Sequence, residues 1–478
     1  MTPPTPPTAR TTARRDQLTA IAAGLFARDG YHNVTVGDIA AAAGLSGPAI
    51  YRHFPGKQAI LAEVVRSGFD EMARAVAADL AGISDPAERL RQTYRDLAAF
   101  VIRRPEFGVM WRREYRHLAP EDAAELAKRM AEASDTAVAE LRTLRPELPA
   151  ADAELVSWAA LSVLGSISDH RVRLPRAAFE ELLAGIAMAV VAVEFEEGAE
   201  LDNRPQDLEV QDRKEQILAA AARLFWDRGY HEVTLDEIGA AAGIAGPSVY
   251  SHFAGKTELL RTITERIGEQ LRKDLADSEA AVAAGSATGS AGVAAAIASK
   301  SPIGLPGAAA AAIASKSDID LPGPAVSSAA VAGEAVADVP GPAASSLPAT
   351  TQLTPRQLAA RTTLTDLATR YVTTVLSSRD LVAAYFTEGH NLPDRDRAET
   401  RRFQRAYTAH WSALLAAADP GASPEEIRIR VLAAFAVVND TARTRRLLER
   451  PGLAGRLRAL MLAVLLTPPS SARDVNRR

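Results

Sequence analysis

The chain contains one segment twice, and this repeat restricts its possible folds more than any other feature. Shifted by 199 residues, Arg14–Leu61 falls on Arg213–Leu260 without a gap, and 25 of the 48 positions are identical. The stretches read RRDQLTAIAAGLFARDGYHNVTVGDIAAAAGLSGPAIYRHFPGKQAIL and RKEQILAAAARLFWDRGYHEVTLDEIGAAAGIAGPSVYSHFAGKTELL. Self-similarity of this kind means that one unit folds twice by the same local rules. Behind each copy runs a longer stretch of helical pattern, the two related more faintly through MWRREYRHLAP and AYFTEGHNLPD at an offset of 274. The difference, 274 − 199 = 75 residues, falls at about Ser278–Gln352. That tract is rich in Ala, Gly, Ser and Pro, has no Phe, Trp or Tyr, and repeats AAIASKSPIGLPG as AAIASKSDIDLPG. It cannot bury enough surface to offset chain entropy, so a disordered linker is expected; a docking segment for another protein is the alternative.

At 478 residues, two to four domains of roughly 100–200 residues are expected. Aromatics make up only 5% while Ala, Leu and Arg dominate, which favours helices packed on helices, an all-α fold class. There is no Cys, which removes disulfides, thiol nucleophiles and Cys-ligated metals. The sequence has no G-x-S-x-G elbow, phosphate-cradling loop or H-E-x-x-H pair, and its eight histidines are scattered. Catalysis, a metal site and a cofactor are therefore not expected. No uninterrupted apolar run reaches the roughly 20 residues of a membrane helix, and the Pro/Thr-rich start lacks the apolar middle of a secretory signal, so a cytoplasmic location is expected. Net charge is −4, so any contact with nucleic acid has to come from a local basic patch.

Within the first copy Leu18, Ile21, Ala22, Leu25 and Phe26 form the stripe of an amphipathic helix that Gly30 stops. Thr35 stands three residues before Asp38, and Thr234 three before Glu237, the pattern of a capping box opening a short second helix. Gly44 and Gly243 then allow a sharp turn. Ser46 is placed to cap a third helix, GPAIYRHF, with Gly47 and Pro48 in its first turn. Phe26, Ile39, Ala42 and Phe54 are expected in the core. Two short helices on a glycine corner, the second starting in compact residues, let that second helix approach base edges in a major groove. Lys57 opens the next helix, where a cation and backbone N–H groups can meet phosphate.

The spacing of GLSGPAIYRHFPGK after TVGDIAAAAG closely resembles the DNA-binding domain of the TetR family of transcriptional regulators, and the second copy resembles it too. The resemblance implies a three-helix DNA-binding domain followed by a helical ligand-binding and dimerisation domain, present twice. Family members work as homodimers on near-palindromic operators; here one chain can supply both halves. The DNA-binding set carried over is Thr35, Ser46, Gly47, Pro48, Ala49, Tyr51, Arg52, His53 and Lys57 in the first copy. In the second it is Thr234, Gly246, Pro247, Ser248, Tyr250, His252 and Lys256, with the phosphate-contact role on the paired Tyr and Lys positions. For His53 and His252 structural and phosphate-adjacent roles both stay open.

The copies differ where DNA is sensitive. Ser46, Arg52 and Pro55 become Ala245, Ser251 and Ala254, and Ala49 becomes Ser248. Arg10–Arg66 holds 7 basic and 4 acidic residues, net +3, whereas Glu209–Glu265 holds 6 and 9, net −3. Since non-specific affinity comes largely from phosphate neutralisation, the first copy is expected to supply most of the DNA affinity and the second to add register or asymmetric specificity.

At the 274-residue offset Trp111 matches Tyr385, Glu114 matches Glu388 and Leu118 matches Leu392. Both segments resemble effector helices of TetR-family members that govern fatty-acid or steroid catabolism, which implies an acyl-CoA thioester or related lipid as effector. On that reading Trp111, Arg112, Arg113, Glu114, Arg116, Tyr385 and Glu388 bind effector, the arginines meeting CoA phosphates. Each also fits a core or solvated-pair role. The expected division is a tail at 1–13, a helix-turn-helix domain at 14–70, a regulatory domain at 71–200, the second helix-turn-helix domain at 201–277, the linker at 278–352, the second regulatory domain at 353–470 and a tail at 471–478. The function expected is a ligand-released repressor whose partners are operator DNA and a small apolar effector, acyl-CoA being a candidate, with the chain an intramolecular pseudo-dimer and further homodimerisation left open. A protein-interaction scaffold with a degenerate second helix-turn-helix is the alternative.

Overall fold

The computed structural model describes residues 9–77, 80, 82–196, 212–286 and 353–466, and among them every regular element is helical. The first unit runs α1 (Ala9–Asp29), α2 (Val36–Ala42), α3 (Gly47–Ile50), α4 (Lys57–Ala77), α5 (Pro86–Arg103), α6 (Glu106–Val109), α7 (Pro120–Leu144), α8 (Ala150–Gly165) and α9 (Arg176–Val191). The second runs α10 (Arg213–Arg228), α11 (Leu235–Ala241), α12 (Gly246–Val249), α13 (Lys256–Ser286), α14 (Pro355–Ser377), α15 (Arg379–Glu388), α16 (Asp394–Ala418), α17 (Pro424–Ala442), α18 (Arg445–Leu448) and α19 (Leu453–Leu466). The faint 274-residue similarity marks real register. Helix α7 spans 120–144 and its counterpart α16 spans 394–418, and α8 and α17 begin at 150 and 424.

In each unit the helix-turn-helix head sits on one end of a regulatory bundle. The first head packs Leu18, Phe26, Ile39, Ile50 and Phe54 at or below 1% exposure. The second packs Ile217, Phe225, Ile238, Val249 and Phe253, joined by Ala384 and Leu392 from its regulatory part. The bundles pack against each other, α8 on α17 and α9 on α19. Each of these helices meets the counterpart of itself, the contact of a two-fold dimer made within one chain. Helix α8 is accordingly apolar all round, with α7 and α9 against one side and α17 against another. The stretch Ala150–Asp169 is long and apolar enough to cross a membrane by length and composition, and 67% of its most apolar 18-residue window is buried in the protein. At the rim of the interface Arg456 pairs with Asp152 at 2.6 Å, and Arg446 and Arg450 pair with Glu154.

Several local expectations change. Helix α1 begins at Ala9, so residues 9–13 of the expected tail are helical. Helix α13 continues through Ser286 and buries Ser278 completely, because the Ala-rich start of the expected linker has high helix propensity. The remainder of that linker, like 1–8, 197–211 and 467–478, lies outside the described residues. The third helix stops at Ile50 and Tyr51–His53 form a turn. Ala42 is exposed and Ala40 fills the core instead, because α2 ends at Ala42, where the chain leaves the helix for the Gly44 turn.

Candidate nucleic-acid interface

Both heads build their corner identically. The Thr35 N–H donates to Asp38 Oδ2 at 2.8 Å while the Asp38 N–H donates back to Thr35 Oγ1 at 3.1 Å. Thr234 and Glu237 repeat the exchange at 2.8 and 3.3 Å. These reciprocal bonds fix where the second helix starts. Gly44 and Gly243 stand at φ +66° and +70°, a conformation that only glycine adopts without cost. The chain then turns into the recognition helices α3 and α12, with Gly47–Pro48 and Gly246–Pro247 in their first turns. Ser46 occupies the N-cap position without making a capping bond, so the cap expected from its hydroxyl is absent. Ala49 and Ser248 follow on the two tips, partly buried and exposed respectively.

Tyr51 and Tyr250 are 60% and 62% exposed. An aromatic ring held out of the core at the same place in both heads is available to a ligand surface. Arg52 is exposed beside Tyr51, whereas the Ser251 hydroxyl is turned back onto the Ser248 carbonyl at 2.7 Å. His53 and His252 are half-buried. The His53 carbonyl accepts from Arg15 at 2.8 Å, a guanidinium that also pairs with Glu63 at 2.8 Å and lies 4.3 Å over the Phe54 ring. Arg15 thereby ties the end of the recognition segment to α1 and α4. Its charge and position were visible in the repeat, but its partners lie 38 and 48 residues away.

Lys57 and Lys256 are placed differently from expectation. The Lys57 ammonium donates to the carbonyls of Tyr31 and Val34, both at 2.9 Å, and lies 4.3 Å over the Tyr31 ring. Lys256 repeats this with Tyr230 and Val233 at 2.8 and 2.7 Å. Burial draws both ammonium groups below their ordinary value. Lys57 thus puts two of its three donors on the loop between the first two helices, and Lys256, which also reaches the His231 carbonyl at 3.4 Å, puts all three there, so both side chains clamp their own head's backbone.

The second tip carries an acid that the first lacks. Asp236 lies so close to Gly246 that a methyl group added there would overlap its carboxylate; the equivalent position in the first head is Gly37. With the charge difference between the heads, this leaves the second tip more negative than the first.

Of the residues expected to hold effector, several join heads to bundles. Glu114 is 1% exposed and accepts the Tyr31 N–H at 3.1 Å, while Arg113 donates to the Phe26 and Ala27 carbonyls at the end of α1. Glu388, equally buried, accepts the Tyr230 N–H at 3.2 Å and pairs with Arg116 of the first unit. Trp111 packs edge-on against Phe69. Arg112 bridges Asp169 at 3.0 Å and Asp440 of the second unit at 3.3 Å. Arg112, Arg113 and Tyr385 also border a cavity of about 370 Å³ between the regulatory parts. Where the heads meet, His32 lies 3.5 Å from the Glu232 carboxylate and 4.9 Å, ring to ring, from His231. His117 stacks on Tyr31, and burial pushes it and His390 down to about 3.

Residues 18–64 and 217–263 each match the family model described as bacterial regulatory proteins, tetR family. The HTH-type transcriptional activator FasR of Mycolicibacterium smegmatis is 40% identical over 65 residues, 14% of this chain and 30% of the relative. The HTH-type transcriptional repressor KstR2 of Rhodococcus jostii is 40% identical over 70 residues, 15% of this chain and 34% of the relative. The chain thus matches only about a third of each of these relatives' length. Among solved structures, KstR2 of Mycobacterium tuberculosis is similar at 23% identity over 37% of this chain and 93% of that one, with a TM-score of 0.34. AibR, solved in complex with isovaleryl coenzyme A and operator DNA, is similar at 21% identity over 36% and 97%, with a TM-score of 0.33.

Proposed function

We propose, from the premise that this chain is a member of the tetR family of bacterial regulatory proteins carrying two of the family's DNA-binding units in tandem, that it is a transcriptional regulator that uses both heads of one molecule on one operator. The observation that carries this reading is the α8–α17 and α9–α19 interface, which sets two heads with exposed tips on one frame without a second chain. On DNA the tips would enter successive major grooves, roughly 34–36 Å apart. The first head supplies most of the phosphate neutralisation. The second, with Ser248, Ser251 and Asp236 where the first has Ala49, Arg52 and Gly37, reads a different half-site, so the operator is asymmetric.

Regulation in this reading is release. An acyl-CoA thioester or related lipid binds between the regulatory helices, favours a different separation of the heads, and weakens DNA binding by its differential affinity for the two arrangements. Glu114 and Glu388, which fasten each head to its bundle, carry the change. Selection of bound fragments from random duplex DNA tests the proposal: enrichment of a two-part, non-palindromic site supports it, and no enrichment over competitor at moderate salt contradicts it. The acid at Asp236 favours a second reading, in which the second head has lost DNA and serves as a protein-interaction surface. Recovery of a single half-site would favour that reading.

A further inference from the structure

We infer that the chain has one binding site per molecule for an organic anion with an apolar body, built by the second regulatory part and completed by residues of the first. This deepens the regulatory reading and rests on it for what binding accomplishes. The cavity of about 370 Å³ is within the size range of small-molecule sites, roughly 300–1,000 Å³. One wall is aromatic: Phe435 lies 4.9 Å from Tyr371 and 5.7 Å from Tyr407, centroid to centroid, and Phe403 lies 5.8 Å from Tyr407. Trp411 backs this wall at 5.2 Å from Phe435.

Charge on the lining is one-sided. Arg401, Arg405 and Arg428 border the cavity, are exposed, and make no ion pair among the described residues. Asp169, the acid on the lining, already faces Arg112 at 3.0 Å. The Tyr385 hydroxyl is buried beside Gln404 outside hydrogen-bonding geometry, a polar atom that a ligand would satisfy. An apolar body against the rings with an anionic group among the three arginines satisfies both surfaces at once.

The first unit does not carry these lining residues. At the 274-residue offset Tyr371, Phe403, Tyr407 and Phe435 correspond to Leu97, Arg129, Ala133 and Leu161. Arg401, Arg405 and Arg428 correspond to Ala127, Ala131 and Glu154, and Glu154 is engaged with Arg446 and Arg450 across the interface. Arg112, Asp169 and His170 of the first unit nevertheless border the cavity, so an occupant touches both units and senses their separation.

The test uses the full chain with two fluorescent probes, the anion 1-anilinonaphthalene-8-sulfonate and its uncharged relative N-phenyl-1-naphthylamine. The expected result is one anion bound per chain, with the neutral probe weaker by about tenfold or more. The Arg401→Ala, Arg405→Ala, Arg428→Ala triple variant, altered at exposed positions that leave the core intact, should lose about tenfold for the anion and little for the neutral probe. Trp411→Phe should remove most of the probe emission sensitised by tryptophan. Displacement by octanoyl-CoA or by 1-naphthoate identifies whether a thioester or a ring-bearing acid is the better occupant. Two anions per chain, equal affinity for both probes, or an unaffected triple variant would overturn the inference. Gel retardation on the same preparations separates the outcomes: DNA binding with a failed probe test leaves the regulatory reading standing, and a sound probe test without DNA binding does the reverse.

Discussion

Arg116 of the first unit pairs with Glu388 of the second, and the other oxygen of that carboxylate accepts the Tyr230 N–H at 3.2 Å. One buried group thus joins the second head to both regulatory parts. Across the pseudo-two-fold relation His390 takes the place of Arg116 and lies against Gly30, where an added methyl would sit 2.6 Å from its Nε2. The head joints are therefore related in place and unlike in charge.

Replacing Glu388 by Ala should destabilise the second head by about 3 kcal/mol, because it leaves a guanidinium and a backbone N–H without their shared acceptor. Denaturant unfolding followed by the fluorescence of Trp226, the tryptophan of α10, in a background with Trp111, Trp158 and Trp411 replaced by Phe, reads this directly. An unchanged midpoint would mean that the joint does not hold the head.

Asp236→Gly gives the second tip the residue found in the first. It should raise DNA affinity and steepen the dependence of log K on log salt by about one unit, the effect of removing one charge opposed to phosphate. Gly37→Asp should do the opposite in the first head. Fluorescence-anisotropy titrations at several salt concentrations measure both, and equal slopes for all three proteins would show that this position is remote from the duplex.

Lys57→Met should lower the stability of the first head by roughly 1–2 kcal/mol, since the carbonyls of Tyr31 and Val34 lose a charged donor. Tyr51→Phe, on an exposed ring, should leave melting unchanged and weaken DNA binding by about tenfold if its hydroxyl meets phosphate. Thermal melts beside binding curves separate the two, and a Lys57 variant that melts like the parent would return that residue to the DNA-contact role.

Lowering the pH should loosen the joints between the first head and the regulatory parts. His117 and His390 are pushed to about 3, first by burial and then by neighbouring cations, Arg116 for the former and Arg113 for the latter. A histidine held below its unfolded value binds fewer protons folded than unfolded, so its neutral form contributes fully above about pH 6.5 and the contribution declines as pH falls toward the folded value. Urea midpoints at pH 7.5 and 5.0 should therefore fall in that order, and Asn or Gln at both positions should flatten the difference. A midpoint that rises on acidification would contradict the assignment.

The heads were legible because their signals are local: capping boxes, glycines at positive φ and a proline in a first turn lie within a few residues of what they determine. The clamp made by Lys57 is not legible in the sequence because the carbonyls it holds are 23 and 26 residues upstream, so the pattern displays a cation without these partners. The sequence marks Glu114 and Glu388 as equivalent, but their ties to the heads are illegible for the same reason, their partners lying 83 and 158 residues away. The α8–α17 contact left one trace, a helix without a polar face, which a buried helix in any bundle would also show. The aromatic wall at Tyr371, Tyr407 and Phe435 comes from three helices, and no single stretch of sequence displays it.

The account depends most on one chain presenting both heads to one site. Native mass spectrometry of the full chain with the two-part duplex recovered by selection counts this directly. One chain per duplex, lost when either half-site is scrambled, is the predicted result; two chains per duplex, with each half-site retaining its own chain when the other is scrambled, would contradict it.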